Sequence, residues 1–590
     1  MEIKRIDPPC WFTSMNNPIL QLFIYGEELK EVEFETNIPH VGDIRVVGET
    51  SNEYAIIYIT LQENVLPGKY ELYFIKGEKK ICIRYELKEK RSWNIPQQAT
   101  VTMGDVIYLM VTDRFAKGNN PLTKKMKFDR NNPDAWHGGN INGVREHLDY
   151  LQKLGVTALW LTPVFKNNDE IVTVEEKEYT SYHGYAITDF YDVDRHFGTI
   201  EDYYNFVKEA HLHGLKVVKD VVFNHCSNKH VWVKNPPMRN WLNETEEKKA
   251  RRTNYKVTTV FDPYATSVDK ADTVDGWFTE TMLDINLRNE HARQYLTQMT
   301  IWWIETADVD AIRMDTYLYS DLQAMMAWQK RIDQEYPGFS IIAETWVPEA
   351  AFTAKAQNKV SETVKSKAPF IVMDFAFQKR IEACYSNKEL YDRESQVYYH
   401  FVNDFLYSSP QNTLAFLDNH DLPRWLSVNK SIDKLKQALG ILLTVPRIPQ
   451  LLYGTELLFA GDGKGTGDGN KRQDFFEKLN TNSWSEKEQE IHDFVQTILT
   501  WRKTSKAVTQ GSMRHFVPQN GVYIYIRKYR LEKVLVIINN ANKSKSISLP
   551  HYAEEITGCS EGIDVITGKR FFLRDSLKII RNGILILKLK

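Results

Sequence analysis

At 590 residues the chain is too long for one hydrophobic core, and at about 150 residues per domain it reads as three or four units. Lys and Arg number 75 against 77 Asp and Glu, and the net charge of -2 leaves no overall field to gather nucleic acid or an anionic membrane. Five scattered cysteines without a C-x-x-C pair argue against a disulfide scaffold or a structural zinc site.

Residues 1–100 alternate apolar and polar positions in short segments such as "LQLFIYG", "YAIIYITL" and "KYELYFI", broken by Gly, Pro and Asn. This pattern predicts a small antiparallel, immunoglobulin-like sandwich. The opening "MEIKRIDPPCW" lacks the apolar core of a signal peptide, so a cytoplasmic protein is expected, with a periplasmic one as the alternative if an export signal has been removed. No apolar run of about 18 residues predicts a membrane span.

From 101 the rhythm changes to apolar strands separated by helical stretches: "VIYLMVTD" (106–113), "VTALWLTPV" (156–164), "LKVVKDVVFNH" (215–225), "VDAIRMD" (309–315), "FSIIAETW" (339–346), "PFIVMDF" (369–375), "NTLAFLDNHD" (412–421) and "IPQLLYGTE" (448–456). Eight such strands with helical crossovers predict a closed parallel barrel over 101–505. The gap after the third strand exceeds one crossover, and an inserted subdomain is expected at 226–290. The segments "GVYIYIRKY", "KVLVIINN" and "GILILKLK" predict a second sandwich over 506–590. The fold class is thus multidomain α/β, a (β/α)8 barrel between two β-sandwiches. The run "ETEEKKARR" (244–252) reads as a solvated charged stretch. The glycines of "GDGKGTGDG" (461–469) do not meet the phosphate-loop pattern. His211 and His213, two apart on a helix, point to different sides and are expected in solvent.

Polar residues gather at one place on these strands. Asp220 with Asn224 and His225, Arg313 with Asp315, Glu344, and His420 with Asp421 all sit at or just past strand C-terminal ends, which converge on one mouth of a parallel barrel. Singly, a strand-end Asp is more often a helix cap than a catalyst. Together they suit glycoside cleavage, in which one carboxylate attacks or stabilises an oxocarbenium-like centre while another, of raised pKa, protonates the leaving oxygen. Arg313, two residues before Asp315 and on the same strand face, would orient it. Asp310, at the strand's other end, is expected to be structural.

The ordered segments "DVVFNH", "AIRMDT", "AETW" and "FLDNHD" resemble the signature regions of the α-amylase family of glycoside hydrolases, whose catalytic domain is a TIM barrel. The likeness continues through "SYHGYAITDFYDVDRHFGT" (181–199), "MLDIN" (282–286) and "RIPQLLYGTE" (447–456). It implies Asp315 as nucleophile, Glu344 as general acid and base, and Asp421 as third carboxylate. It further implies His183, His225, His420 and Arg313 around the sugar at the cleavage point, with Tyr185 stacking beneath it and Asp220 as support. Trp346 is expected on the leaving-group side, and Trp302 and Trp303 as packing residues. A retaining reaction is implied, with the two main carboxyl groups about 5 to 5.5 Å apart.

The leading "PPCWFTSMNNPILQLFIYG" is similar to the N-terminal domain of the cyclomaltodextrinase, neopullulanase and maltogenic amylase branch, and other stretches to Bacteroides-type members. The implied substrates are maltooligosaccharides, cyclodextrins, pullulan or starch, and the implied assembly is a homodimer through that domain. Thr316 is similar to its counterpart in α-1,4-cleaving members. No required cofactor and no metal ligand set is expected: several relatives bind calcium in the loop after the first strand, but "RFAKGNNPLTKK" (114–125) places Lys117 at a ligand position, so that site reads as degraded, with calcium kept as the alternative. A glucan transferase, an α-glucosidase and a non-catalytic amylase-like protein remain open as alternatives.

Overall fold

Eight short parallel strands close on themselves in the computed structural model, which describes residues 1–590 except 94–98, 175–176, 244–251, 367, 369, 387–391 and 462–467, with the side chains of 174, 177 and 394 also left out. The strands are β1 (Ile107–Met110), β2 (Ala158–Leu161), β3 (Lys216–Val221), β4 (Ala311–Met314), β5 (Ser340–Ala343), β6 (Ile371–Met373), β7 (Thr413–Phe416) and β8 (Ile448–Leu452). β8 pairs with β1 to complete the ring. All but Lys216 lie buried, which is why they read as nearly continuous apolar runs, covered by side chains within and helices without. Register sets Asp220 of β3 beside Arg313 of β4, so both point to the same side of the wall.

Two segments depart from the expected pattern. "VIYLMVTD" ends as strand at Met110, and Thr112–Phe115 turns into a short helix. There Asp113 accepts hydrogen bonds from the backbones of His137 and Gly138 at 2.8 and 2.9 Å, an arrangement that an extended chain could not make. The second departure follows β2, where Phe165–Asn167 pairs antiparallel with Ile187–Val193. This excursion carries Tyr182, His183 and Tyr185 between two strands that alone signal nothing unusual. After β3, His225–Ser227 pairs with Met282–Asp284 to close the base of an inserted lobe. The charged run 244–252 lies, apart from Arg252, outside the described residues.

Three barrel helices are α1 (Ile200–Leu212), α2 (Glu290–Ala307) and α3 (Leu322–Glu335). The N-terminal strands form two four-stranded sheets, and one of them is fastened to α2. Gln298 Oε1 accepts from the Gln21 backbone at 2.7 Å while its Nε2 donates to the Gln21 carbonyl at 2.8 Å. Phe23 packs with Tyr54, Trp232, Trp241 and Tyr295, so one apolar core runs without a break from this domain into the barrel. Strand Val522–Tyr529 divides its faces by alternation: Tyr523 and Tyr525 join the barrel core, whereas Ile524 and Ile526 join the C-terminal domain's own. Helix Ile432–Thr444 meets that domain at Gly440, where a Cβ would stand 2.1 Å from Ile584 Cδ1, so any larger residue there would require the Ile584 side chain to move.

His211 and His213 are half-buried rather than free in solvent. His211 Nε2 lies 2.9 Å from Asp310 Oδ2, and His213 Nε2 lies 3.2 Å from Asp149 Oδ1. Asp310 also accepts from the Val217 backbone at 2.7 Å, a structural tie at the closed end of the barrel. The helical period that separates the two histidines says nothing of carboxylates arriving from other elements.

Because Asp220 faces inward, its neighbour Lys219 faces the helices. It is 2% exposed, and its Nζ sits 3.8 Å from the ring centre of Trp303, 4.3 Å from Phe165 and 4.5 Å from Tyr203, making no hydrogen bond. Burial drives its pKa well below the ordinary value, with Asp220 opposing in part. A lysine whose folded pKa is depressed destabilises the fold at neutral pH, and that cost fades as pH rises to the unfolded value near 10.4. The three rings offset part of it. Lys219→Met should therefore raise the urea midpoint at pH 7 by an amount equivalent to about 1–3 kcal/mol. The gain should shrink between pH 8 and 10.5; an equal or growing gain at high pH would contradict the account.

Candidate active site

The carboxylates at the mouth are arranged around one buried cation. Arg313 leaves β4 fully enclosed, and its Nη1 donates to Asp315 Oδ1 at 2.7 Å and to Asp220 Oδ1 and Oδ2 at 3.0 and 3.2 Å. Its Nη2 lies 2.8 Å from Glu344 Oε1, an ion-pair contact in which the N–H is not aligned for a hydrogen bond. Asp220 is further held by the Trp160 indole N–H at 2.9 Å and the Tyr185 hydroxyl at 2.9 Å. It lies 1% exposed and outside the cavity lining, so it works as a brace for Arg313.

Thr316 links two of the carboxylates that face the cavity, Asp315 and Glu344. Its backbone N–H donates to Glu344 Oε2 at 2.7 Å, and its hydroxyl to Asp315 Oδ2 at 3.1 Å. The residue has φ of 45°, a left-handed conformation costly for a β-branched side chain, of order 1–3 kcal/mol. Only that twist lets one residue serve both oxygens.

A cavity of about 480 Å³ opens over this group. His183, Tyr185, His225, Asp315, Glu344, Trp346 and Asp421 line it, so seven of the nine residues picked from sequence converge there. Arg313 and His420 stand directly behind. Tyr185 is stacked on His420 with ring centres 5.6 Å apart and on His183 at 5.8 Å. His225 lies flat against Phe278 at 5.4 Å, its Nε2 buried without a protein partner. Trp346, 38% exposed, stacks on Phe375 at 5.1 Å. Trp302 and Trp303 are buried away from the mouth, Trp303 donating to the Phe190 carbonyl at 2.9 Å.

Electrostatics separate the acids. Burial pushes Glu344 up to about 8; Arg313 opposes the rise, and the like charges of Asp315 and Asp421 add to it. Burial also raises Asp220, to about 6, against Arg313, and raises Asp421, against Arg472. His183 is depressed to about 3 by burial and by Arg472; burial also lowers His225 and His420. At neutral pH the site therefore holds neutral imidazoles and a protonated Glu344, able to give a proton while accepting hydroxyl hydrogen bonds.

Several lining residues were not among the expected site residues. Asp468 and Arg472 follow β8 and come from the loop dismissed as a glycine run, of which 462–467 lie outside the described residues. Arg472 Nη2 donates to Asp421 Oδ1 at 3.0 Å and stands 3.4 Å from Asp468 Oδ2. Tyr255, Phe278 and Met282 arrive from the inserted lobe, and Tyr319 from the turn after β4; lobe aromatics are indistinguishable from core ones before folding. In the loop after β1, Asn120 uses Oδ1 to cap Leu122 N at 3.1 Å and Nδ2 to hold the Arg195 and His196 carbonyls. Asp169, Asp194 and His196 form the one described cluster of possible metal ligands. Asp194 there already accepts from the His196 backbone and ring and from the Asn167 backbone, each at 2.8 Å.

Comparison with known proteins agrees with this architecture. The family described as "Alpha amylase, catalytic domain" matches residues 109–530, "Cyclomaltodextrinase, N-terminal" residues 5–91, and "Cyclo-malto-dextrinase C-terminal domain" residues 513–588. Alpha-amylase 2 of Dictyoglomus thermophilum is 28% identical over 75% of this chain and 70% of its own length. A cyclomaltodextrinase of Thermoanaerobacter pseudethanolicus is 26% identical over 75% and 71%, and a cyclomaltodextrin glucanotransferase of Paenibacillus macerans 27% over 79% and 64%. The crystal structure of an Anoxybacillus alpha-amylase, 25% identical, superposes with a TM-score of 0.69 over 83% of this chain and 98% of that one. The chain is a member of the α-amylase family of glycoside hydrolases, with cyclomaltodextrinase-type domains on both sides of its barrel.

Proposed function

We propose that the enzyme hydrolyses α-1,4-glucosidic bonds of short or cyclic glucans with retention, through a covalent intermediate on Asp315. The observation that carries this reading is Arg313 gripping Asp315 and Glu344 side by side at the barrel mouth. In the first step an Asp315 oxygen bonds to the anomeric carbon as the glycosidic C–O bond breaks, and the leaving oxygen takes the Glu344 proton. In the second, the Glu344 carboxylate takes a proton from water, whose oxygen bonds to the anomeric carbon and releases Asp315. Asp421 and the neutral histidines would hold hydroxyls of the distorted ring, and Tyr185 would stack beneath it. No cofactor enters, each proton passing through Glu344. Maltooligosaccharides, cyclodextrins, pullulan and starch are the proposed substrates, and a homodimer through the N-terminal domain the proposed assembly.

Transfer to a second sugar is a competing outcome. Tyr255, Phe278, Tyr319 and Trp346 line the cavity with aromatic surface, which would favour a sugar acceptor over water. Product analysis with γ-cyclodextrin, with and without added maltose, separates the two.

Asp315→Asn keeps shape and removes the attacking anion; hydrolysis of maltoheptaose should fall by at least about 10³-fold with the melting curve retained, and activity near the parent's would defeat the assignment. The pH profile offers a second check. Glu344 must be protonated to act, so kcat/KM should fall as pH rises through about 8; a falling limb already complete below pH 6 would remove Glu344 from the acid role.

A further inference from the structure

Tyr182 lies outside the cavity lining, yet two guanidiniums are seated on its ring. Arg114 Cζ stands 3.9 Å from the ring centre and Arg472 Cζ 5.7 Å, and Arg472 Nη1 donates to the Tyr182 hydroxyl at 3.2 Å. Arg114 Nε donates to the Arg472 carbonyl at 3.1 Å, and its Nη2 to the carbonyls of Pro133 and Ala135 at 2.7 and 2.9 Å. All three side chains are nearly or fully buried. Arg114 is paired with Asp113 and Arg472 with Asp421, and the Tyr182 ring gives both guanidiniums a further attractive face.

The rest of Arg472 is turned toward the site. Its Nε donates to the His420 carbonyl at 2.8 Å and its Nη2 to Asp421 Oδ1 at 3.0 Å. The other oxygen of Asp421 lies 3.2 Å from His420 Nε2, and Lys471 Nζ bonds the Asp421 carbonyl at 3.0 Å. Asp468 competes for the same Nη2 at 3.4 Å. The Tyr182 hydroxyl is the acceptor that ties Nη1, leaving the bonds of Nε to the His420 carbonyl and of Nη2 to Asp421 as the other restraints on the fork.

We propose that Tyr182 is a positioning residue: with Arg114 behind it, it fixes the Arg472 guanidinium against Asp421 and so holds the third carboxylate in its working place. The inference rests on the reading of Asp421 as part of the catalytic group, and it assigns Tyr182 no contact with sugar. The charged and titratable groups facing Asp421 are Arg472, Lys471, Asp468, Arg313, Glu344 and His420. Of these Arg472 is the cation bonded to its carboxylate, so loosening Arg472 raises the Asp421 pKa further.

The test is a double-mutant cycle on the full chain, with kcat and KM for maltoheptaose measured from pH 4 to 9 in the parent, Tyr182→Phe, Arg472→Gln, the double variant and Asp421→Asn. Tyr182→Phe removes one hydrogen bond to a charged group and should lower kcat by about 5- to 30-fold. KM should stay within about threefold, because the interaction belongs to the reacting geometry. The acid limb of kcat should move upward. In the Arg472→Gln background the Tyr182 change should add nothing. Equal costs in both backgrounds, an unmoved acid limb, or parental kinetics for Tyr182→Phe would each overturn the proposal. Asp421→Asn separates the two failures: if it retains parental activity, the reading of Asp421 is wrong, whereas an inactive Asp421→Asn beside a parental Tyr182→Phe removes only the role of Tyr182. Should Tyr182→Phe fail to fold, Arg472→Lys decides: it keeps the charge but not the fork, and must restore the acid limb lost in Arg472→Gln, or the linkage is refuted.

Discussion

One buried guanidinium governs the mouth of this barrel. Arg313 is surrounded by Asp220, Asp315 and Glu344, three potential anions around a single permanent cation, in a setting where each unpaired charge costs several kcal/mol. Charge balance cannot be reached by adding partners, because no second cation reaches that centre among the described contacts of Arg313. It is reached by protonation. Glu344, which receives only a misaligned contact from Arg313, is raised chiefly by burial, against the charge of that guanidinium. Desolvation thus sets a functional asymmetry among acids that share one cation.

Thr316 completes that asymmetry. A backbone N–H directed at Glu344 and a hydroxyl directed at Asp315 require a conformation that a β-branched residue normally avoids. The residue is 3% exposed, and its N–H is satisfied by Glu344, as a buried backbone donor requires. At the mouth the left-handed turn falls on the residue that follows Asp315.

How much of this could be read from the sequence depended on whether a feature was local. Barrel strands are buried on both faces, so each announces itself as an apolar run, and acids at their ends stand out within a few residues. Asp220, Arg313, Asp315, Glu344 and Asp421 were legible for that reason. Tyr182 and Arg472 were not, because they acquire meaning from partners 51 to 358 residues away, and Asp468 reaches the mouth only through its pairing with Arg472. The glycines of 461–469 lack the phosphate-loop pattern, and that pattern carries no information about what Asp468 or Arg472 will meet. His211 and His213 show the same limit in reverse: helical spacing placed them on different faces, and the carboxylates they meet belong to other elements.

The unbroken core between the N-terminal sheets and α2 bears on how such enzymes can be recombined. A boundary drawn near residue 100 looks like a linker, yet Gln21 and Gln298 satisfy one another's amides, and Phe23 sits in a nest of rings to which the inserted lobe supplies Trp232 and Trp241. A graft of this domain onto another barrel would carry half of each of these pairs and strand the rest, leaving buried amides without partners. The interchangeable part is therefore a composite of the sheets, one barrel helix and the base of the lobe, pieces far apart along the chain. Shuffling by contiguous segments would cut through it.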